Sequence, residues 1–388
     1  MFKVLVWDYV GVSAQWFNQY AEKDYIEVVA TLTPATPDKY SSEILLKRDA
    51  WDWLLIFEQD TRKFFDEAIK QLNLPLDRVI YAIDVNSWLE HPKAAFTLNN
   101  SNAGGGIIWR HMNFNIIRRL NNFVTCTVEG VSYVGTASDP LRIPYMFVNG
   151  VNWSSNDMKR FHALAKKYYN IDDSEGYFLD LGANIGTSGI YFVKNLAPNL
   201  KLLAFEPDAE NFKMHRVNLI LNDLDGVSTL VNCGLSNKFD ELMMYNNGAN
   251  PGARGFIKLN GSTPIMTVKI IPLDSYLAEH NIAAQDVKYI WIDTEGLEAQ
   301  VMLGAKNLLV QNPASIFVEF NLGAWQKSGC FDELMTLLEG LYSHFILFSG
   351  GKETLYPIDA MRTLTPPANP LGRFGDGDIF LIKKGLID

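Results

Sequence analysis

The sequence predicts an α/β protein built from two successive parallel-sheet modules, and three observations carry that prediction. Short apolar runs alternate with helix-spaced segments over residues 1–85, and again from Tyr177 onward. The second series opens on a glycine-rich turn, Asp180-Leu181-Gly182-Ala183-Asn184-Ile185-Gly186. Five of its apolar runs end on an acid or an asparagine. Strands that alternate with helices imply a parallel sheet with helices packed on it.

The elements follow in order. Phe2–Trp7 reads as a buried strand, and Ser13 as the N-cap of a helix over Ser13–Lys23. Further strands fall at Ile26–Leu32, Trp53–Phe57 and Val79–Ile83. Between the last two, Phe64, Phe65, Ala68, Ile69 and Leu72 recur at helical spacing over Thr61–Leu72. Residues 1–90 therefore read as a small Rossmann-like α/β module. Its first turn carries only Gly11, short of a phosphate-binding loop, so the module reads as structural or as an interaction surface. The aromatic-rich Trp51–Phe57 reads as core.

Residues 91–174 read as linker and lead-in. The linker sequence begins near residue 84 and ends in Asn99-Asn100-Ser101-Asn102-Ala103-Gly104-Gly105-Gly106, which has little helix or strand preference. A helix over Ile107–Leu120, a strand pair at Val124–Val134 and Tyr145–Val148, and a helix over Lys159–Tyr169 follow. Residues 175–388 form the main domain, with strands at Tyr177–Leu181, Leu202–Phe205, Ser228–Val231, Lys288–Ile292 and Ile316–Val318. A last pair lies at Phe345–Phe348 and Ile379–Ile382. Residues 236–264 and 350–377 interrupt this series with turn-rich sequence and are expected to be long loops that cover the substrate.

Composition sets the outer bounds. Of 388 residues, 48% are hydrophobic and 20% charged, ordinary globular usage that excludes disorder as the main state. The net charge of -10 argues against a nucleic-acid partner and against a basic membrane-surface helix. Cys126, Cys233 and Cys330 are too sparse for a disulfide framework or a zinc site and fit a reducing compartment. Asp8 interrupts the first apolar run, and no stretch reaches the roughly 20 apolar residues of a membrane helix. A cytoplasmic protein without a membrane partner is expected, and its oligomeric state is open.

The chemistry gathers at the strand ends. Glycines at a strand-to-helix turn let the backbone approach a ligand, and the helix beginning near Thr187 offers unpaired N–H groups. The spacing Gly182, Gly186, Gly189 is GxxxGxxG, a poor match to the dinucleotide pattern GxGxxG. An acid followed by GxxxG is the form common in S-adenosylmethionine (SAM) sites. Glu206, 20 residues after Gly186, stands where an acid takes ribose hydroxyls in nucleotide-binding α/β folds. The strand ends give Asp180, Glu206, Asn232, Asp293 and Glu319, an acidic rim suited to the sulfonium and ammonium of SAM. The helix dipole alone accounts for part of this pattern, Glu295 most easily.

The fourth strand of the second series leads into Trp291-Ile292-Asp293-Thr294-Glu295-Gly296-Leu297-Glu298, then Gly304-Ala305. With DLGANIG, Phe205-Glu206-Pro207, Pro272-Leu273-Asp274-Ser275-Tyr276 and Val318-Glu319-Phe320-Asn321, the order of motifs resembles the FkbM family of SAM-dependent methyltransferases over residues 175–349. The resemblance implies a Rossmann-like class I methyltransferase sheet and methyl transfer to hydroxyl oxygens of sugars, glycans or natural products. It places Asp180, Gly182, Asn184 and Gly186 at the methionine portion of SAM, Glu206 at the ribose with Pro207 also among the cofactor-binding residues, Asn232, Gly234 and Leu235 beside the adenine, and Asp293 in the cofactor site beside the methyl donor. Asp293 becomes the first candidate for orienting or deprotonating the acceptor hydroxyl, with Glu295 and Glu319 as alternates on the same rim. The family usually carries Lys where Trp291 stands, so no contact from that side chain is carried over. The acids lack the fixed loop pattern of a magnesium site, and no metal is expected. No HExxH or GxSxG motif occurs. An NAD(P)-dependent oxidoreductase or epimerase, and a non-catalytic nucleotide-binding module, remain open on the residues alone.

Overall fold

The computed structural model describes residues 2–8, 11, 13–14, 26–33, 47, 49–51, 53–57, 79–81, 114, 118, 121–139, 141–246, 254–256, 258, 261–349, 351–364 and 377–387. The helices expected over Ser13–Lys23, Thr61–Leu72 and Ile107–Leu120 lie wholly or mostly outside them, as does the linker. The chain separates into two compact units: Met1–Cys126 with Thr136–Ser138 and Arg142–Val151, and Thr127–Gly135 with Asp139–Leu141 and Asn152–Asp388.

In the first unit, β1 (Phe2–Asp8), β2 (Ile26–Leu32), β3 (Trp53–Phe57) and β4 (Val79–Tyr81) form a parallel sheet in the order β2-β1-β3-β4. Leu5, Leu32, Trp51, Leu54 and Ile56 form its core, as the apolar runs require. Ser13 and Ala14 are helical, but the acceptor at that helix start is Asp8. Its carboxylate takes the N–H of Gly11 at 2.6 Å and that of Ser13 at 2.8 Å.

A hairpin of β5 (Phe123–Val128) and β6 (Val131–Thr136) turns at Glu129 and Gly130, both with positive φ as a two-residue hairpin loop demands. The strand expected at Tyr145–Val148 is instead part of helix α1 (Arg142–Asn149). Pro144 sits in the first turn, where its missing N–H costs nothing. Gly150, at φ 69°, donates to Met146 O and closes the end. Both boundary signals outweigh a four-residue apolar run that periodicity alone could not assign. Helix α2 (Ser155–Tyr169) follows and ends on Asn170 in the left-handed conformation.

The second unit is built on β7 (Tyr177–Leu181), β8 (Lys201–Phe205) and β9 (Ser228–Val231), with helices α3 (Gly189–Asn195) and α4 (Ala209–Leu221) between them. The stretch expected as a loop at 236–264 holds strands. β10 (Gly234–Leu235), β11 (Asp240–Asn246), β12 (Arg254–Gly255) and β13 (Thr263–Ile271) make a separate sheet in the order β10-β13-β11-β12. Met266, Val268 and Ile270 alternate with more exposed neighbours along β13, a period of two that the turn-rich flanks obscured. Helix α5 (Leu273–Glu279) and β14 (Val287–Ile292) come next, then α6 (Glu298–Gly304), α7 (Lys306–Gln311) and β15 (Ser315–Phe320). Helices α8 (Leu322–Lys327) and α9 (Phe331–Leu341) precede β16 (Tyr342–Ser349), β17 (Lys352–Pro357) and β18 (Gly377–Lys383). The expected loop at 350–377 therefore begins with β17 and a 3-10 turn at Ile358–Arg362.

The main sheet runs β17-β16-β18-β15-β14-β7-β8-β9, parallel from β9 to β15 and antiparallel beyond. This is a Rossmann-like sheet with an antiparallel edge. Its strand side chains alternate between two cores. Leu179, Leu181, Leu203, Phe205, Ile290, Ile292, Ile316 and Val318 share one. On the other, Phe161 of α2 meets Phe178, Phe192, Tyr289, Trp291, Phe317 and Phe380 with ring centroids 5.5–6.4 Å away. Trp291 stacks on Phe317 at 4.9 Å, so this departure from the family pattern serves packing.

Candidate active site

Strand order reverses at β7, whose neighbours are β8 on one side and β14 on the other, and ligands of open α/β sheets bind beyond the carboxyl ends at such a point. The glycine turn follows β7 there. Gly182, at φ 93°, lies so close to Asp293 that a Cβ would overlap the Asp293 carbonyl. Its N–H and that of Ala183 donate to Phe205 O at 3.1 and 2.9 Å, while Asp293 N–H donates to Leu181 O at 2.9 Å. Gly186, at φ 89°, rests on the His215 ring, which a Cβ would approach to 2.7 Å. The turn is thus pressed between the ends of β8 and β14, and larger residues are excluded at both glycines.

Asp180 is fully buried, and its Oδ2 accepts from Ser188 Oγ and Gly189 N, both at 2.8 Å. It fixes the entry to α3, while Oδ1 stays buried without a hydrogen-bond partner. Burial, reinforced by the charge of Asp293, pushes the carboxyl up to about 7 against the pull of those two bonds. Glu206 is equally enclosed. Its Oε2 accepts from Asn184 N at 2.7 Å and its Oε1 from Asp208 N at 2.7 Å, and burial pushes it up to about 7. Asn184 adopts φ 50°, a left-handed position that Asn tolerates better than most residues.

Around the ends of β8 and β9, Asn232 Nδ2 donates to the carbonyls of Glu206 and Pro207 at 2.8 and 3.1 Å. Gly234 and Leu235 form β10, with Leu235 in the hydrophobic core. Asp208, unmarked by the sequence reading, caps α4 by accepting from Glu210 N and Asn211 N. It also holds Arg254 of β12 in an ion pair at 2.6 Å, with the Asp208 side chain 3% exposed.

The turn after β14 bears the second acidic group. Glu295 and Gly296 take φ of 54° and 110° in succession. Glu298, also missed from sequence, closes the turn: its buried Oε1 accepts from Thr294 N, Thr294 Oγ1 and Gly296 N at 3.1, 3.1 and 2.9 Å. Burial and the charge of Asp293 raise its carboxyl, and its Oε2 has no hydrogen-bond partner. Glu319 lies at the end of β15, opposite Asp378 of β18 in the ladder. Burial, then the charges of Asp293, Glu295, Glu298 and Asp378, raise Glu319 well above the usual carboxylate range. The fold thereby gathers Asp293, Glu295, Glu298, Glu319 and Asp378 into one electrostatic group. Among the described residues, no set of three or more His, Cys, Asp or Glu is arranged to hold a metal ion.

His215 of α4 lies against Gly186 of the glycine turn. It is fully buried, but neither ring nitrogen makes a well-formed hydrogen bond. Burial holds it down to about 3, with the Asn184 backbone opposing.

Residues 180–344 match the family model described as "Methyltransferase FkbM domain". This segment is similar to a methyltransferase FkbM domain. The match takes in the glycine turn, Glu206, the turn after β14 and Glu319. The chain is 27% identical over 198 residues to the methyltransferase sdnD of Sordaria araneosa, covering 43% of this chain and 73% of that protein. Two solved structures are similar at a low level. A methyltransferase FkbM from Methylobacillus flagellatus shows 12% identity and a TM-score of 0.34, covering 98% of this chain and 90% of that one. An O-methyltransferase from Bacillus cereus shows 13% identity and a TM-score of 0.33, covering 59% and 81%. Among the described residues, no helix is long and apolar enough to cross a membrane.

Proposed function

We propose that the FkbM-like segment binds SAM and methylates a hydroxyl oxygen of a small-molecule or carbohydrate acceptor, such as a sugar, glycan or natural product. The carrying observation is the glycine turn at the strand-order reversal, where Gly182 and Gly186 have no room for a side chain. The residues fit SAM: a backbone cradle, a buried Asp180 Oδ1 lacking a partner, and an acid at the next strand end. Asp180, Gly182, Asn184 and Gly186 would hold the methionine portion. Glu206 and Pro207 would meet the ribose, since each Glu206 oxygen has a second lone pair beyond its backbone bond. Asn232, Gly234 and Leu235 would flank the adenine.

Bound there, SAM would supply a methyl group already activated for transfer. Positioning of the acceptor then dominates, and can be worth about 7–11 kcal/mol. Asp293 orients the acceptor hydroxyl and takes its proton onto the carboxylate. Glu319, driven toward its proton-bearing form by burial and then by the surrounding acids, suits donation of a hydrogen bond to an acceptor oxygen. Glu295 is the alternate base on the same turn.

Calorimetric titration with S-adenosylhomocysteine (SAH), with NAD⁺ in parallel, tests the cofactor. Micromolar SAH binding without NAD⁺ binding is expected; the reverse would overturn the reading. A screen of hydroxyl-bearing acceptors then tests oxygen transfer by the appearance of methyl ether product.

A further inference from the structure

We propose that Asn218 is a positioning residue for the glycine turn, tying it to strand β6. Its ligand arm rests on the SAM reading above, while its structural arm does not. Helix α4 carries His215 and Asn218, and Asn222 caps its C-terminus, the three spaced for neighbouring turns. All three are buried.

Along β6, the N–H and C=O groups of alternate residues Ser132 and Val134 share one edge. One helical turn from Asn218 to Asn222 rises ~6 Å, close to the ~6.8 Å spanned by two strand residues. An asparagine in the last turn of the helix and one at its C-cap can therefore pair with the strand as a neighbouring strand would. Asn218 Oδ1 accepts from Val134 N at 2.7 Å and its Nδ2 donates to Val134 O at 3.2 Å. Asn222 repeats this on Ser132, at 3.0 and 2.7 Å.

Only one of the two asparagines also reaches the turn. The Asn218 Nδ2 donates to Ile185 O at 2.8 Å, so its two amide hydrogens are divided between strand and turn. Ile185 stands between Asn184, held by Glu206, and Gly186, seated on His215. Asn152 adds a parallel tie, donating to Tyr133 Oη at 2.7 Å and to Thr187 O at 3.2 Å. The peptide after Ile185 is therefore oriented from beneath by Asn218, and β6 forms part of the support of the cofactor loop.

The test compares Asn218→Ala with Asn222→Ala, since both remove pairing to β6 and only the first frees Ile185. Amide hydrogen exchange is read in the ligand-free proteins, and SAH affinity by calorimetry. Faster exchange over residues 182–188 in Asn218→Ala alone, with SAH binding about tenfold weaker, is expected. Equal exchange over that segment in the two variants would overturn the proposal, because a merely structural role acts alike in both. A wild-type protein that ignores SAH would overturn the SAM reading, and the ligand-free exchange still decides the role of Asn218. Where Asn218→Ala does not fold, Asn218→Gln keeps both polar functions but displaces them by a methylene, and the same contrast with Asn222→Ala applies.

Discussion

At the scale of single residues, the two candidate acids have separable duties. Glu206 holds two backbone N–H groups of the site and stands at the proposed ribose position. Glu206→Ala is expected to weaken SAH binding by about 10–100-fold, the worth of hydrogen bonds to a charged group. Wild-type affinity in that variant would remove the ribose role. Asp293 meets the strand that leads into the glycine turn through its backbone N–H, which donates to Leu181 O. Asp293→Ala should reduce turnover by about 10²–10⁴-fold while SAH affinity changes far less. A parallel loss of both would assign it to binding. Gly182 is a steric requirement: its φ alone disfavours a side chain by roughly 1–3 kcal/mol. Gly182→Ala should be destabilised by at least that much in urea unfolding, because the Asp293 carbonyl must also move.

At the scale of elements, the motifs are held by short-range caps that the strands alone do not supply. Asp8, Asp180 and Asp208 each use a carboxylate at a strand-to-helix passage to bond the N–H groups that begin the next helix. Such caps explain part of the acidic rim without any ligand, as the helix dipole anticipates. Asp208 adds the ion pair that anchors β12, so its loss removes a cap and leaves Arg254 with the longer contact to Glu210 at 3.5 Å. Asp208→Ala should cost about 1–2 kcal/mol from the cap alone in urea unfolding. Asp208→Asn, which keeps the cap and removes the charge, should recover most of that cap contribution.

At the scale of the whole molecule, the buried carboxyl groups set how stability responds to pH. Asp180 and Glu206 are pushed up to about 7, and Glu298 and Glu319 are raised as well. In the unfolded chain such groups titrate near 4. Between those values the folded protein binds more protons than the unfolded one. The stability these groups contribute is therefore complete below about pH 4 and is lost as pH rises through about 7. Glu129 and Asp173 are lowered and act in the opposite sense, losing their contribution as the medium becomes acidic. Asp180→Asn should consequently show a smaller fall in Tm between about pH 5 and about pH 8 than the wild type. An unchanged fall would show that Asp180 does not ionise in that interval.

The amino-acid pattern located the parallel strands of both units, the glycine turn and the positions of Asp180, Glu206, Asn232, Asp293 and Glu319 at strand ends. These are local properties: apolar periodicity, chain direction and the residue that closes each strand. It misassigned Tyr145–Val148, where an apolar run fits helix and strand alike, and it obscured β11 and β13 behind their turn-rich flanks. Tertiary structure alone decided that Glu206 holds Asn184, that Glu298 closes the turn after β14, and that Arg254 reaches Asp208. It also decided that Asn218 meets Val134, 84 residues away in the chain. Hydrogen bonds of this kind leave no period in the sequence, because each depends on where a distant backbone group comes to lie once the sheet and its helices have packed.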